Sequence, residues 1–150
     1  MRLKLPPAVV LLLFGSLMYL LATFLPFGYF DFFGRNLLVK ALLVLGAIVA
    51  FIALIQFYRA KTTVDPMSPS KASRLVMSGI YRFSRNPMYL AMLLLLLAWG
   101  LKLGNAFNTL LAALFVAYMN RFQIIPEEEA LGKLFGKPYQ QYCLKVRRWF

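Results

Sequence analysis

The 150 residues are 61% hydrophobic and only 15% charged, whereas about a quarter of a soluble domain is charged, so the chain reads as an all-α integral membrane protein. The net charge of +12 does not point to nucleic acid, because the basic residues flank apolar segments instead of gathering on one module. With no histidine and a single cysteine, an intrachain disulfide, histidine-based triads and ordinary zinc chemistry are excluded.

Four apolar segments, residues 7–27, 37–58, 87–103 and 107–125, come close to the ~20 residues a spanning helix needs. Arg2 and Lys4 precede the first. It is too long for a signal-peptide core and has no small-residue cleavage site, so it is expected to be retained. A turn over residues 26–34 leads to the second helix. Asp31 there caps the turn or faces water, and Gly15, Ser16, Gly46 and Ala50 allow close helix approach. Residues 1–60 thus read as scaffold.

The next loop, residues 61–86, carries the turn-forming pairs Asp65-Pro66 and Ser68-Pro69. A short packed segment over residues 72–79 leads into Gly79-Ile80-Tyr81-Arg82-Phe83-Ser84-Arg85-Asn86-Pro87-Met88-Tyr89. This places arginines and tyrosines at the mouth of a membrane helix, where ionisable groups are costly and mark function. Pro87 suits the first position of the third helix, with Asn86 as its capping side chain. Capping accounts for those two residues but not for Tyr81, Arg82, Arg85 and Tyr89.

The third helix is short and crosses if Lys102 snorkels and the bilayer thins. Gly100 and Gly104 close a tight turn, so the third and fourth helices form a hairpin over residues 87–126. The fourth turns polar at Asn120, Arg121 and Gln123, after which Pro126-Glu127-Glu128-Glu129 is expected to open a new helix. Two readings of these acids stand. They complement the helix dipole, at ~0.3 to 1 kcal/mol each, or they face the polar start of the third helix, which hairpin geometry brings near.

In the last segment, residues 127–150, Tyr139, Tyr142, Val146 and Trp149 recur at helical spacing among lysines and arginines. Such a helix lies at the membrane interface, either as a surface anchor or as the roof of a site. Cys143 is expected to be a passive residue on a membrane-facing surface. Most positive charge lies before the first helix, between the second and third, and after the fourth. The positive-inside rule therefore puts both termini and the long loop in the cytoplasm, with the protein in a plasma membrane of bacterial type.

Two motifs carry a family resemblance. Gly79-Ile80-Tyr81-Arg82 followed by Arg85-Asn86-Pro87-Met88-Tyr89 resembles the G-x-Y-x-x-x-R-[HN]-P-x-Y pattern of the isoprenylcysteine carboxyl methyltransferases and the related membrane phospholipid methyltransferases. Glu127-Glu128, Leu131, Phe135-Gly136, Tyr139 and Tyr142 are similar to their E-E-x-x-L-x-x-x-F-G-x-x-Y-x-x-Y, with Val146 and Arg147-Arg148-Trp149 continuing the usual ending. The resemblance covers about the second half of the chain. It implies a small membrane methyltransferase that binds S-adenosylmethionine beside the C-terminal segment and takes a lipid-like or prenylated acceptor from the bilayer. Tyr81, Arg85, Asn86, Pro87, Tyr89, Glu128, Phe135, Tyr139 and Tyr142 would bind the cofactor, and Arg121 and Glu127 would stand nearer the reacting end. Asn86 replaces the histidine usual in the carboxyl methyltransferases.

Methyl transfer from a sulfonium needs positioning and electrostatics more than proton traffic, so a chain without histidine or metal ligands can perform it. A carboxylate acceptor needs no base. An amine acceptor does, and Glu127 is the one good candidate; the residues therefore favour a carboxylate. A non-enzymatic membrane or lipid-binding module that keeps this scaffold is the alternative. A transporter is disfavoured, because no acid or base stands near the middle of any helix.

Overall fold

A computed structural model describes residues 5–25, 27–60 and 75–150. Asp65-Pro66, Ser68-Pro69, Arg2 and Lys4 lie outside the described residues, as does the first part of the segment expected over residues 72–79. Among the described residues the regular elements are all helical: α1 (Pro7–Phe24), α2 (Arg35–Ala60), α3 (Pro87–Leu103), α4 (Asn108–Met119), α5 (Ile125–Phe135) and α6 (Lys137–Lys145), with a 3₁₀ turn at Gly79–Arg82. Three helical stretches are long and apolar enough to cross a membrane, and α3 is a shorter apolar one. The first helix stops three residues earlier than the hydropathy suggests, and the second extends by about two at each end.

Pro87 occupies the first turn of α3 as expected. Asn86 does not cap it. Its side chain makes no capping hydrogen bond because the amide is drawn away to the carbonyl of Arg148. Nor does a new helix open at Pro126. The helix that begins with α4 runs into α5 through a π turn at Asn120–Ile124, an insertion that carries one extra residue per turn and rotates α5 about the common axis.

The short α3 is the central helix and packs against α1, α2 and α4. At ~1.5 Å per residue its 17 residues reach only about 25 Å, less than the ~30 Å hydrocarbon core. Its neighbours shield it instead: Tyr89, Ala91, Leu96, Ala98 and Gly100 are all buried. Gly46 of α2 approaches closely, since a Cβ there would lie 3.4 Å from the Ala91 carbonyl oxygen. The core between α1, α3 and α4 holds Phe14, Met18, Leu96, Phe115 and Met119, and a second cluster gathers Ala53, Tyr81, Tyr139, Tyr142 and Val146.

The two ends of the bundle are tied differently. At one end the turn between α3 and α4 is bonded to the turn between α1 and α2, by Phe30 N–H to the Gly104 carbonyl (2.9 Å) and Ala106 N–H to the Gly28 carbonyl (2.7 Å). Asn105 Nδ2 adds a bond to the Phe27 carbonyl at 2.9 Å. Gly104 caps α3 with φ of 68°, and a Cβ there would sit 2.6 Å from Arg35 Nη1. Asp31 is exposed and pairs with Arg35 at 3.3 Å.

At the other end stands the platform of the 3₁₀ turn. Gly79 has φ of +59°, and a Cβ there would overlap the Gln56 side-chain amide, while Gln56 Oε1 accepts from Ile80 N–H at 3.3 Å. Valine at Gly79 would force both a left-handed β-branched residue and loss of that bond. Gly79→Val is expected to cost about 2 kcal/mol, read as a lowered midpoint of thermal unfolding in detergent; an unchanged midpoint would contradict it.

Candidate functional site

The platform brings Arg85 and Asn86 to the start of α3, and the π turn delivers Glu127 and Glu128 on the first turn of α5. Arg85 Nη1 lies 3.0 Å from Glu128 Oε1. Arg148 binds the same carboxylate with two nitrogens, Nε to Oε1 at 2.9 Å and Nη2 to Oε2 at 2.7 Å. Glu128 is therefore shared by two guanidiniums, one of them in the fork geometry that makes arginine–carboxylate pairs strong. That hydrogen-bonded carboxylate holds the Arg148 guanidinium above its ordinary pKa. One turn into α3, the Tyr89 hydroxyl donates to Glu127 Oε1.

A strap made of the residues after α6 covers this layer. The Arg147 carbonyl accepts from Arg85 N–H at 2.9 Å. The Arg148 carbonyl accepts from Ser84 Oγ at 3.2 Å and from Asn86 Nδ2 at 3.0 Å, and Trp149 Nε1 donates to Asn120 Oδ1 at 3.0 Å. The periodicity of Tyr139, Tyr142, Val146 and Trp149 suggests one continuous helical face, but α6 ends at Lys145, and Val146 is extended. Trp149 then packs on the α1–α3–α4 core while Val146 stays in the second cluster.

Aromatic side chains form the other wall. Tyr139 and Tyr142 are buried, with ring centroids 6.3 Å apart, and the Tyr142 hydroxyl donates to the Tyr81 carbonyl at 2.6 Å. Phe135 packs on the same cluster. Burial pushes the hydroxyls of Tyr81, Tyr139 and Tyr142 above the ordinary phenol range, so at neutral pH they act as protonated donors and aromatic surfaces.

Of the residues expected at a site, Tyr81, Arg85, Asn86, Pro87, Tyr89, Glu127, Glu128, Phe135, Tyr139 and Tyr142 converge here. Arg121 does not. It lies exposed on the π turn and pairs with no acid among the described residues, because the extra residue of that turn changes the face on which it falls. Cys143 is not lipid-facing either: its Sγ accepts from Arg85 Nη1 at 2.7 Å. Sequence reasoning missed Ser84, Asn120 and the strap's use of backbone carbonyls. The Arg147-Arg148 ending was the signal that would have found Arg148.

The profile of the phospholipid methyltransferase family matches residues 34–138. The chain is 32% identical over 104 residues, 69% of its own length and 44% of the relative's, to the protein-S-isoprenylcysteine O-methyltransferase of Schizosaccharomyces pombe. It is 26% identical over 105 residues, 70% of its length and 55% of the relative's, to a probable protein-S-isoprenylcysteine O-methyltransferase of Oryza sativa subsp. indica. A 50% identity over 62 residues, 41% of this chain, covers 98% of an uncharacterized protein of Haemophilus influenzae. The chain thus spans about half the length of the curated methyltransferases it matches. No solved structure matches it. With the profile covering well over half of the chain, including the three acids of α5 and the platform, this protein belongs to the phospholipid methyltransferase family.

Proposed function

We propose that the protein transfers a methyl group from S-adenosylmethionine to a lipid-like acceptor at the cytoplasmic face of a membrane, and that the platform, α5 and the strap form the cofactor site. The observation that carries this reading is the Arg85–Glu128–Arg148 cluster, set between an aromatic wall and the Tyr89–Glu127 pair. The donor set fits an amino-acid nucleoside cofactor: guanidiniums for its carboxylate, carboxylates for its ammonium or ribose hydroxyls, tyrosine faces for a cation or a base. Arg85 Nε is buried without a hydrogen-bond partner. A buried cationic N–H left open is costly, and an anionic group of the cofactor would satisfy it.

When bound, S-adenosylmethionine supplies an electrophilic methyl group on a sulfonium. The chain's own residues do the rest by placement. Arg85 and Arg148 are fixed by Glu128, so their remaining N–H groups are aimed without further ordering, which is where positioning gains most. The strap and the buried tyrosines partly cover the layer beneath them, which leaves the Arg148 side chain 41% exposed. Tyr89 holds the Glu127 carboxyl by a hydrogen bond, which leaves Glu127 able to take a proton only if the acceptor carries one.

A carboxylate acceptor is favoured because it attacks without losing a proton and so needs no base, while the Glu127 carboxyl is already engaged by Tyr89. Calorimetric titration of the detergent-purified protein with S-adenosylhomocysteine is expected to give micromolar binding, and no binding by folded protein would overturn the reading. Transfer assays with Glu127→Gln then test the acceptor. Methylation of a prenylated carboxylate should stay within roughly tenfold of wild type, whereas methylation that needs a general base should fall by about 10² or more.

A further inference from the structure

The structure assigns a second, anion-binding site: we propose that the pocket between the 3₁₀ turn and α6 holds the phosphate of an anionic phospholipid, separately from the cofactor layer. This pocket, of about 390 Å³, is lined by Arg82, Lys145, Gln141 and Tyr142, with Met77 and Val146 among its apolar walls. None of Arg85, Glu127, Glu128 and Arg148 lines it, and among the described residues no acid does. Arg82 and Lys145 are both exposed, and neither is ion-paired among the described residues. Two cations and an amide donor thus face one concavity with no counter-charge among the described residues of its walls.

The neighbouring side chains say where the anion comes from. Phe83, directly after Arg82, is 76% exposed, and Leu144, directly before Lys145, is 88% exposed. Met77 on the pocket wall is exposed as well. A large aromatic and a leucine standing free beside two cations fit an interface in which the apolar tips enter the acyl boundary and the cations meet headgroups. Basic pockets in that position take anionic lipid headgroups. A pocket for a free anion would have no use for those apolar tips. Tyr142 lines this pocket while its hydroxyl is committed to the Tyr81 carbonyl, so the lipid site shares this residue with the aromatic wall but none of Arg85, Glu127, Glu128 and Arg148.

The test titrates the full-length protein in detergent with dihexanoyl phosphatidic acid, with inorganic phosphate as a parallel arm. Binding of the short-chain lipid is expected, together with a roughly thirtyfold weakening in the double variant Arg82→Gln and Lys145→Gln, since each cation contributes about a factor of five. Inorganic phosphate should bind far more weakly. Equal lipid affinity in the double variant would overturn the site, and inorganic phosphate binding as tightly as the lipid would overturn the lipid assignment. S-adenosylhomocysteine affinity, measured on the same samples, should be unchanged in the double variant. This keeps a failure of the lipid site distinct from a failure of the methyltransferase reading.

Discussion

Replacing Glu128 by glutamine is expected to weaken S-adenosylhomocysteine binding at least a hundredfold while the protein remains inserted and helical. Glu128 is the only acid that touches either Arg85 or Arg148 among the described residues, and its side chain is 19% exposed against 13% for Arg85. Glutamine keeps the shape but removes the charge, so two guanidiniums are left adjacent with nothing to offset them. Breaking such a partly buried pair costs roughly 3 kcal/mol, or about two orders of magnitude in a binding constant. Repulsion then moves Arg148 outward, and the strap carbonyls that hold Ser84, Arg85 and Asn86 move with it. A further Arg148→Gln change on this background removes the repulsion and should recover part of the loss, an interaction that a double-mutant cycle reads directly. Calorimetry on protein with wild-type circular dichroism decides the matter. Unaltered affinity in Glu128→Gln would remove the cluster from the cofactor site.

The second large effect concerns stability. Phe115→Ala should destabilise the bundle by about 3 kcal/mol. Phe115 is fully buried, at the contact of α1, α3 and α4, with its ring edge-on to Phe14 at 5.6 Å and 79°. In a bilayer the transfer of an apolar side chain from lipid to protein contributes little, so cohesion rests on close packing. The loss is therefore mostly dispersion and an unfilled cavity. Unfolding in mixed micelles of increasing denaturing detergent should show the shift. Because Phe115 lies away from the charged layer, a fully folded variant at low denaturant should bind S-adenosylhomocysteine as the wild type does. Loss of binding without loss of stability would show that the core and the site are coupled in a way the packing does not suggest.

Much of this architecture was legible in the chain. Pro87 has no N–H to lose and a backbone angle already helical, so the start of α3 could be placed to the residue. That the acids after Pro126 meet the polar start of α3 followed from a hairpin whose two polar ends must lie together, but the Arg85–Glu128 pair itself was not foreseen. Features that leave no side-chain signature could not be read. The strap binds through the carbonyls of Arg147 and Arg148, and every residue carries a carbonyl. The π turn at Asn120–Ile124 breaks the 3.6-residue count on which a helical face is projected, which is why Arg121 looked as if it joined Glu127 and in fact points away. Asn86 illustrates a third cause: its capping propensity is local, and a distant carbonyl outcompetes it.

The unequal fastening of the bundle has a consequence. At the Gly28–Asn105 end the α1–α2 and α3–α4 turns are joined by neutral hydrogen bonds, which salt barely screens; at the platform end α3, α5 and the strap are joined in part by the Arg85–Glu128–Arg148 ion pairs, which it does screen. Raising the ionic strength therefore loosens the contacts among α3, α5 and the strap before it touches the turn end. The bundle is thus more salt-sensitive at its platform end than at its turn end.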